Sequence, residues 1–309
     1  MEVKYIDLFC GIGGFRLGVE VGLAAMGVKS HCVFSSDIDP DAQFGYSENF
    51  GQTPHGDINL IKSSEIPDHQ LLVAGFPCQP FSIMGDSRGF EDTRGTLFFE
   101  IARILDQKRP HAFILENVKQ LAGHDKGKTL RQILGALDDL GYFHSHKILN
   151  ALDFGLPQKR ERIIIVGFRD KRPFHWPAAQ IPMTPLGEIL EKDAAERYYA
   201  SKDIQLKRLK HHEQTDNPTV WHENKSGHIS VHDYSCALRA GASYNYLLVN
   251  GERRLTEREM LRLQGFPDTF RIVTSYNKLR RQTGNAVPVP MISAVAQAVC
   301  DAMNWSRTQ

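Results

Sequence analysis

One cysteine lies in a segment suited to nucleophilic chemistry. Cys78 stands in residues 75–82, GFPCQPFS, directly after the apolar run 71–74. Such a run predicts a buried parallel strand, and open α/β sheets bind ligands beyond the carboxyl ends of their strands. Prolines on both sides restrict the loop backbone. A buried cysteine is more often a small apolar residue than a nucleophile, but this position favours a reactive thiolate.

Three charged residues are expected at the same edge of the sheet. Glu116 follows the apolar run 112–115, and Arg160 and Arg162 precede the run 163–168. Side chains two residues apart in an extended stretch face the same side, so we expect the two guanidinium groups to meet one substrate. A loop-forming carboxylate and a salt-bridged edge strand are the structural alternatives at these positions.

A glycine-rich turn, residues 7–15 (DLFCGIGGF), follows the first predicted strand. Glycines there let the backbone approach a ligand and direct helix N-terminal amides at it. The dinucleotide pattern G-x-G-x-x-G fails because its sixth position is Arg16. Asp37 is placed to accept ribose hydroxyls, and Asp57 with Ile58 suits the edge and face of an adenine. A purely structural turn is the alternative. Together, however, the glycine-rich turn, Asp37, Asp57 and Ile58 favour a ligand that contains a nucleoside without phosphates, which describes S-adenosylmethionine better than NAD.

A thiolate, a carboxylic acid and arginines beside a sulfonium donor fit methylation of a pyrimidine carbon. Carbon C5 of cytosine is a poor nucleophile until a thiolate adds at C6 and an acid engages N3. That carbon is inaccessible in a stacked duplex, so the base must rotate out of the helix. The residue types therefore predict a cleft that receives an extruded cytosine.

The elements that position these residues alternate between strand and helix patterns. Strands are predicted at residues 5–9, 31–35, 71–74, 112–115, 143–149 and 163–168, and helices at 15–26, 97–105 and 129–140. This order predicts a doubly wound α/β domain with a mostly parallel sheet. From Arg169 the alternation stops and prolines punctuate a polar stretch, which predicts a separate, mostly irregular lobe. A helix at 256–264 and a final apolar helix at 289–303 follow, and we expect the last one to return to the first lobe.

Composition excludes several classes of protein. The chain has 309 residues, of which 41% are hydrophobic and 24% charged, with a net charge of +1. We expect no disorder, no membrane span, no secretion signal and, since its five cysteines form no metal-binding spacing, no metal site. Residues 251–290 carry eight Lys/Arg against four acidic residues, which predicts either a basic DNA-facing surface or a solvated helix surface.

Nine segments in this order resemble the DNA (cytosine-5) methyltransferases, particularly their compact bacterial members. They cover nearly the whole first lobe and part of the C-terminal region: DLFCGIGGF (7–15), SSDIDP (35–40), HGDI (55–58), GFPCQPFS (75–82), RGTLFFEIARIL (94–105), ENV (116–118), QKRERI (158–163), RLTERE (254–259) and QTGNAVPVPM (282–291). The resemblance implies the S-adenosylmethionine-dependent methyltransferase fold with a smaller DNA-recognition lobe. It divides the chain into a catalytic and cofactor-binding domain (1–185), a target-recognition lobe (186–256), a hinge (257–284) and a C-terminal helix (285–309).

The resemblance also implies a role for each matching residue. Cys78 becomes the nucleophile, Glu116 the acid at N3 and the exocyclic amine, and Arg162 a contact to the ring carbonyl with Arg160 in support. The implied cofactor residues are Phe9, Gly11, Gly13, Asp37, Ile38, Asp57, Ile58, Pro77, Leu97, Asn285 and Val287. DNA contacts are expected from Arg88, Arg94, Arg239 and Arg254. The expected partners are double-stranded DNA and a separately acting restriction endonuclease, for a monomer in the bacterial cytoplasm.

Two positions depart from the family pattern. Ile38 stands where a large aromatic often follows the ribose-binding acid, and Ala237-Leu238 stands where a Thr-Leu pair is common. A tRNA cytosine-5 methyltransferase is an alternative, but the Cys-Phe-Thr segment typical of those relatives is missing. A non-catalytic DNA-binding relative predicts loss of Cys78 or Glu116, and both are present. A nicotinamide oxidoreductase is disfavoured by Arg16.

Overall fold

A six-stranded sheet in the order β2-β1-β3-β4-β7-β5 forms the centre of the protein. The structure, a computed structural model, describes residues 2–77, 97–178, 181–210, 212–213 and 215–306. The strands of this sheet are β1 Glu2–Leu8, β2 Lys29–Ser36, β3 Leu71–Gly75, β4 Ala112–Val118, β5 Phe143–Asn150 and β7 Glu161–Phe168, with a short β6, Gln158–Lys159, before β7. β7 runs antiparallel to both β4 and β5, whereas β1 to β4 are mutually parallel.

Helices cover both faces of this sheet. They are α1 Gly14–Ala25, α2 Pro40–Phe50, α3 Leu97–Lys108, α4 Lys128–Asp139 and, from the far end of the chain, α9 Val289–Met303. Successive residues of β1 point to opposite faces: Val3 and Tyr5 join a core with α1 and α9, and Ile6 and Leu8 join a core with α3 and α4. The predicted doubly wound α/β fold with a mostly parallel sheet is confirmed.

The last helix, α9, packs closely against α1. A Cβ built on Gly18 would lie 2.6 Å from the Ile292 side chain, and one on Gly22 would lie 2.5 Å from the Ser293 carbonyl oxygen. These glycines therefore allow a helix approach that larger residues would block. Residues 276–303 are long and apolar enough to cross a membrane by length and composition, but 61% of their most apolar window is buried inside the protein.

Residues 186–285 form a second group of elements around their own apolar cluster. Three antiparallel strands pair in the order β11-β8-β9, where the sequence predicted a mostly irregular lobe. The elements are α5 Leu186–Ile189, α6 Lys202–Leu209, β8 Val220–Glu223, β9 Ile229–His232, β10 Ser235–Cys236, β11 Leu247–Val249, α7 Glu257–Leu263 and α8 Tyr276–Asn285. β10 pairs in parallel with β6, so backbone hydrogen bonds tie this group to the approach to β7.

Candidate active site

Strand register brings Glu116 and Arg162 together. Gly75 of β3 is the parallel partner of Glu116 on β4, and Val118 of β4 is the antiparallel partner of Arg162 on β7. Glu116 and Arg162 are therefore diagonal neighbours on one face, and Arg162 Nε lies 2.7 Å from Glu116 Oε1. Their side chains are only 8% and 12% exposed, so this ion pair is shielded from water.

Burial is the largest influence on the Glu116 carboxyl. It raises the pKa of Glu116 above its ordinary value, against the opposing effects of Arg162 and Arg160. The carboxyl therefore takes a proton more readily than a solvated glutamate does. Such a group is suited to sharing a proton with a ring nitrogen.

The two arginines do not share one ligand as an extended strand predicts. Arg162 lines the same cleft as Glu116, whereas Arg160 is fully buried. The Arg160 guanidinium donates to the carbonyl oxygens of Leu238 (2.8 Å), Gly284 (2.9 Å) and Ala286 (2.8 Å). It is directed at the protein's own backbone, which corrects the expectation that both guanidinium groups meet one substrate.

The glycine-rich turn after β1 opens onto a cleft of about 650 Å³. Phe9, Gly11 and Gly13 all have positive φ angles, of 56°, 54° and 85°. A Cβ on Gly13 would lie 2.2 Å from the Phe50 ring, while nothing lies within 4 Å of one on Gly11. Gly13 is thus required by packing, and Gly11 leaves open space beside its backbone for a ligand.

The acids predicted to hold a nucleoside lie at the rim of this cleft. Asp37 Oδ2 accepts a hydrogen bond of 2.7 Å from the Gly11 amide, and its Oδ1 accepts one of 2.8 Å from the Asp39 amide. Ile38 is 72% exposed and Ile58 is buried. All but one of the predicted cofactor residues line the cleft, namely Phe9, Gly11, Asp37, Ile38, Asp57, Ile58, Pro77, Leu97, Asn285 and Val287. Gly13 does not line the cleft; it packs against the Phe50 ring instead.

Charge in the cleft matches a nucleoside better than a dinucleotide. Among its described lining residues the acids are Asp37, Asp39, Asp57 and Glu116, and the cations are Arg162 and Arg281. Arg162 is already paired with Glu116, so little positive charge remains to neutralise a pyrophosphate. With the open space beside Gly11 and the carboxylate of Asp37, the residues present fit S-adenosylmethionine.

Cys78, Arg88 and Arg94 lie outside the described residues. Pro77, the described residue just before Cys78, lines the cleft. The preceding Phe76 carbonyl accepts a hydrogen bond of 2.9 Å from the Asn117 side-chain amide. The approach to the cysteine is therefore tied to the residue next to Glu116.

The basic residues of 251–290 are largely engaged within the protein. Arg253, Arg262, Arg271 and Lys278 each form an ion pair, with Glu259, Asp268, Glu48 and Asp41 respectively. Half of the segment's eight Lys/Arg side chains are therefore paired with carboxylates, two of them, Arg271 and Lys278, while still largely exposed. Two predicted DNA contacts stack on aromatic rings: Arg239 lies 4.9 Å from the Tyr246 centroid, and Arg254 lies 5.2 Å from that of Tyr244.

Sequence reasoning missed several residues of the cleft. Asn117, Val118, Arg281 and Gln282 line it, although they were not singled out as site residues. Asn117, Val118 and Gln282 stand inside the ENV and QTGNAVPVPM segments, and Arg281 directly precedes the second, so these motifs were the available signal. Nothing in the sequence alone showed which of their side chains face inward.

The fold and cleft define an α/β protein with a buried carboxyl in a cleft whose residues fit a nucleoside. The C-5 cytosine-specific DNA methylase family model matches residues 3–301, and the chain belongs to that family. It is 55% identical to the Type II methyltransferases M.NgoBI of Neisseria gonorrhoeae and M.HaeII of Haemophilus aegyptius, over 99% of this chain and 95% of each relative. Crystalline S. pombe Dnmt2 methyltransferase shares the fold, with a TM-score of 0.74 at 20% identity over 98% of this chain and 99% of that one.

Proposed function

We propose that this protein transfers a methyl group from S-adenosylmethionine to C5 of a flipped-out cytosine in a specific double-stranded DNA sequence. The observation that carries the proposal is the Glu116–Arg162 pair, which lines the same cleft as the glycine turn and Asp37. One cleft thus combines a buried carboxyl with a nucleoside site. Family membership supplies the class of reaction.

Residues of six cleft segments would hold the cofactor. Gly11 and Phe9 offer backbone beside it, Asp37 offers a carboxylate for ribose hydroxyls, and Asn285 and Val287 also line the cleft. Ile38, Asp57, Ile58, Pro77 and Leu97 complete the set. When bound, S-adenosylmethionine supplies an electrophilic methyl group.

Protein groups activate the cytosine ring. The Cys78 thiolate adds to C6, forming an S–C6 bond, and the displaced electron pair is accommodated at N3, where Glu116 shares its proton. Arg162 donates a hydrogen bond to the ring carbonyl, from its position 2.7 Å from Glu116, and Arg160 supports it. The ring is now an enamine whose C5 is nucleophilic. Loss of the C5 proton after methylation drives out the thiolate and restores aromaticity.

The rest of the chain serves recognition. Residues 1–185 form the catalytic domain, 186–256 the target-recognition lobe, 257–284 a hinge, and 285–309 the returning helix. Arg88, Arg94, Arg239 and Arg254 contact the DNA. The protein acts as a monomer in the bacterial cytoplasm, where it protects DNA from a separately acting restriction endonuclease.

Bisulfite sequencing of DNA from cells that express the protein tests this function. We expect modified cytosines in one sequence context, and none in matched cells that express Cys78→Ser. The experiment also gives the target sequence and the strand. A lack of modified cytosine in the DNA would contradict the proposal, and modification confined to RNA would replace it with the tRNA alternative.

A further inference from the structure

Arg160 is a buried cation whose guanidinium hydrogen bonds all run to backbone carbonyls. It is 0% exposed, and none of the ion pairs formed by the described residues includes it. Burial, followed by the neighbouring Arg162, lowers the pKa of Arg160 to about 9, which leaves the group charged at neutral pH. A buried charge without a paired carboxylate is costly, so its three carbonyl acceptors define what the residue does.

Those acceptors belong to two separate parts of the chain. The Leu238 carbonyl lies in the proposed target-recognition lobe, whereas the carbonyls of Gly284 and Ala286 lie at the turn that ends α8 and leads to α9. All four residues from 284 to 287 line the cofactor cleft, the acceptors Gly284 and Ala286 as well as Asn285 and Val287. The guanidinium group of Arg160 thus binds both a segment that lines the cofactor site and a segment of the recognition lobe.

Close packing at the same junction supports a mechanical link. A Cβ on Gly284 would lie only 2.3 Å from the Ala240 backbone nitrogen, so the two segments touch through their backbones. The Gln158 side chain holds the Leu238 end of this junction to α7, accepting from the Leu238 amide at 2.9 Å and donating to the Leu263 carbonyl at 2.8 Å. A shift of either segment must therefore move the other or break these bonds.

Arg160 is itself rigidly placed beside the catalytic pair. Its amide donates to the Asn150 side chain at 3.0 Å, and its carbonyl accepts from the Ala151 amide at 3.0 Å. Arg162, two residues further along, carries the ion pair with Glu116. The junction is therefore anchored to the strand that supplies the catalytic arginine.

We infer that Arg160 is a positioning residue that couples cofactor binding to DNA binding, by transmitting the position of the turn 284–287 to the recognition-lobe segment 238–240. The inference rests on the proposed function. An occupied cleft fixes Asn285 and Val287, the guanidinium holds the adjoining carbonyls, and the segment that begins at Leu238 is fixed for the duplex. By linkage, DNA must then tighten cofactor binding by the same factor.

Binding measurements on the full-length protein test this inference. The probe is a duplex oligonucleotide carrying the site found by bisulfite sequencing, and its Kd is measured with and without S-adenosylhomocysteine. For the wild type we expect the cofactor product to lower the DNA Kd by a factor in the usual range for coupled sites, about 5- to 150-fold. In Arg160→Lys, whose single ammonium cannot span three carbonyls, we expect the factor to fall below about twofold.

Arg208→Lys is the matched control. Arg208 is also a buried arginine (1% exposed) that donates to backbone carbonyls, those of Trp221 and Asn245. It differs from Arg160 in also pairing with a carboxylate, Glu223, but all of its partners lie within the recognition lobe. We expect it to weaken DNA binding equally with and without S-adenosylhomocysteine, which leaves the coupling factor at the wild-type value. A substitution that only loosens the fold would change the DNA affinities with and without S-adenosylhomocysteine by the same factor, and so would leave the coupling factor unchanged.

Several results overturn the inference. These are a wild-type coupling factor below about twofold, a coupling factor in Arg160→Lys that equals that of the wild type, or a decrease of the coupling factor in Arg208→Lys as large as that in Arg160→Lys. If Arg160→Lys fails to fold by circular dichroism, Arg160→Gln gives the same test with a neutral side chain. A wild type that methylates its site but shows no coupling refutes only the inference, whereas a wild type that methylates no DNA refutes the proposed function and the inference with it.

Discussion

Replacing Glu116 by Gln tests the role of the buried carboxyl. The amide keeps the shape of the side chain and an oxygen that can accept from Arg162 at the present 2.7 Å, but it removes the charge and the exchangeable acid proton. General acid–base work contributes about 10²–10⁴-fold to rate, so we expect turnover to fall by that factor. S-adenosylmethionine affinity should stay within about threefold, because the cofactor residues are separate from the pair.

Stability must be measured beside activity, because the pair is buried. Leaving one buried polar group imperfectly satisfied costs about 1–3 kcal/mol, and we expect the free energy of unfolding in urea to fall by no more than that. Glu161→Gln is the control, because Glu161 is the adjoining carboxylate and pairs with Lys119 at the surface, with side chains 34% and 48% exposed. Surface pairs contribute about 0–1 kcal/mol, so this variant should keep wild-type turnover.

The assay is single-turnover transfer of a radiolabelled methyl group to the duplex between pH 5 and 9. Burial raises the pKa of Glu116, so the proton that the reaction needs is lost as the pH rises through that raised value. We expect a falling alkaline limb in the wild type and its absence in Glu116→Gln. Turnover of Glu116→Gln within about threefold of wild type, or an unaltered alkaline limb, would refute the reasoning.

Three further predictions follow from the cleft and the turn beneath it. Ile38→Trp should lower the S-adenosylmethionine Kd measured by calorimetry about 2- to 13-fold, because an aromatic ring at this position, where Ile38 is 72% exposed, adds about 0.5–1.5 kcal/mol of stacking. The control is Val21→Trp on the outer face of α1. An unchanged Kd in Ile38→Trp, or the same decrease in Val21→Trp, would contradict the prediction. Gly13→Ala should lower the free energy of unfolding by about 2–5 kcal/mol, because the backbone there is left-handed and the added methyl group clashes with Phe50. The control Gly135→Ala, inside α4, should raise the free energy of unfolding by about 0.5–1 kcal/mol. Equal effects of the two substitutions would contradict a requirement for glycine at position 13. Asp7 is fully buried, and its pKa is raised well above 3.8, chiefly by burial, so the folded state keeps a proton that the unfolded state releases. As the pH rises from the unfolded-state pKa of Asp7 to its raised folded-state pKa, the free energy of unfolding of the wild type should fall relative to that of Asp7→Asn by about 1.4 kcal/mol per pH unit. Urea-unfolding free energies of the two proteins that run parallel with pH would exclude this.

The sheet and four of its five covering helices, α1, α3, α4 and α9, could be predicted because the periodicity of their apolar residues follows their burial. β1 alternates between two cores, and α4 buries Leu130, Ile133 and Leu137 at helical spacing. By contrast, α8 buries the polar Gln282 and Thr283 with only Leu279 as an apolar anchor. Its helical pattern is therefore invisible to a hydrophobicity argument, and the sequence predicted no helix there.

The helix α2 was missed for a different reason. Its buried residues are only Ala42, Gly45 and Tyr46, too few to form an apolar stripe. Its start was nevertheless encoded, because Asp39 accepts from the Asp41 amide and Pro40 takes the first turn. Capping residues here carried information that apolar spacing did not.

The candidate site was predictable in its residues more than in its geometry. Motif order identified Glu116 and Arg162, but only strand register shows that they form a pair. The direction of Arg160 depends on carbonyls 78 and 124 or more residues away along the chain. Contacts at such separations arise from tertiary packing, so no local pattern predicts them.

The most direct test of the account is covalent trapping on a duplex that carries 5-fluorocytosine at the target position. Fluorine at C5 cannot leave as a proton does, so an enzyme that has added a thiolate at C6 and methylated the ring stays attached. With S-adenosylmethionine present, we predict a denaturant-resistant protein–DNA adduct whose peptide map places the bond at Cys78, and no adduct from Cys78→Ser. Wild-type protein that methylates the unmodified duplex but forms no adduct, or forms one through another cysteine, would contradict the central claim.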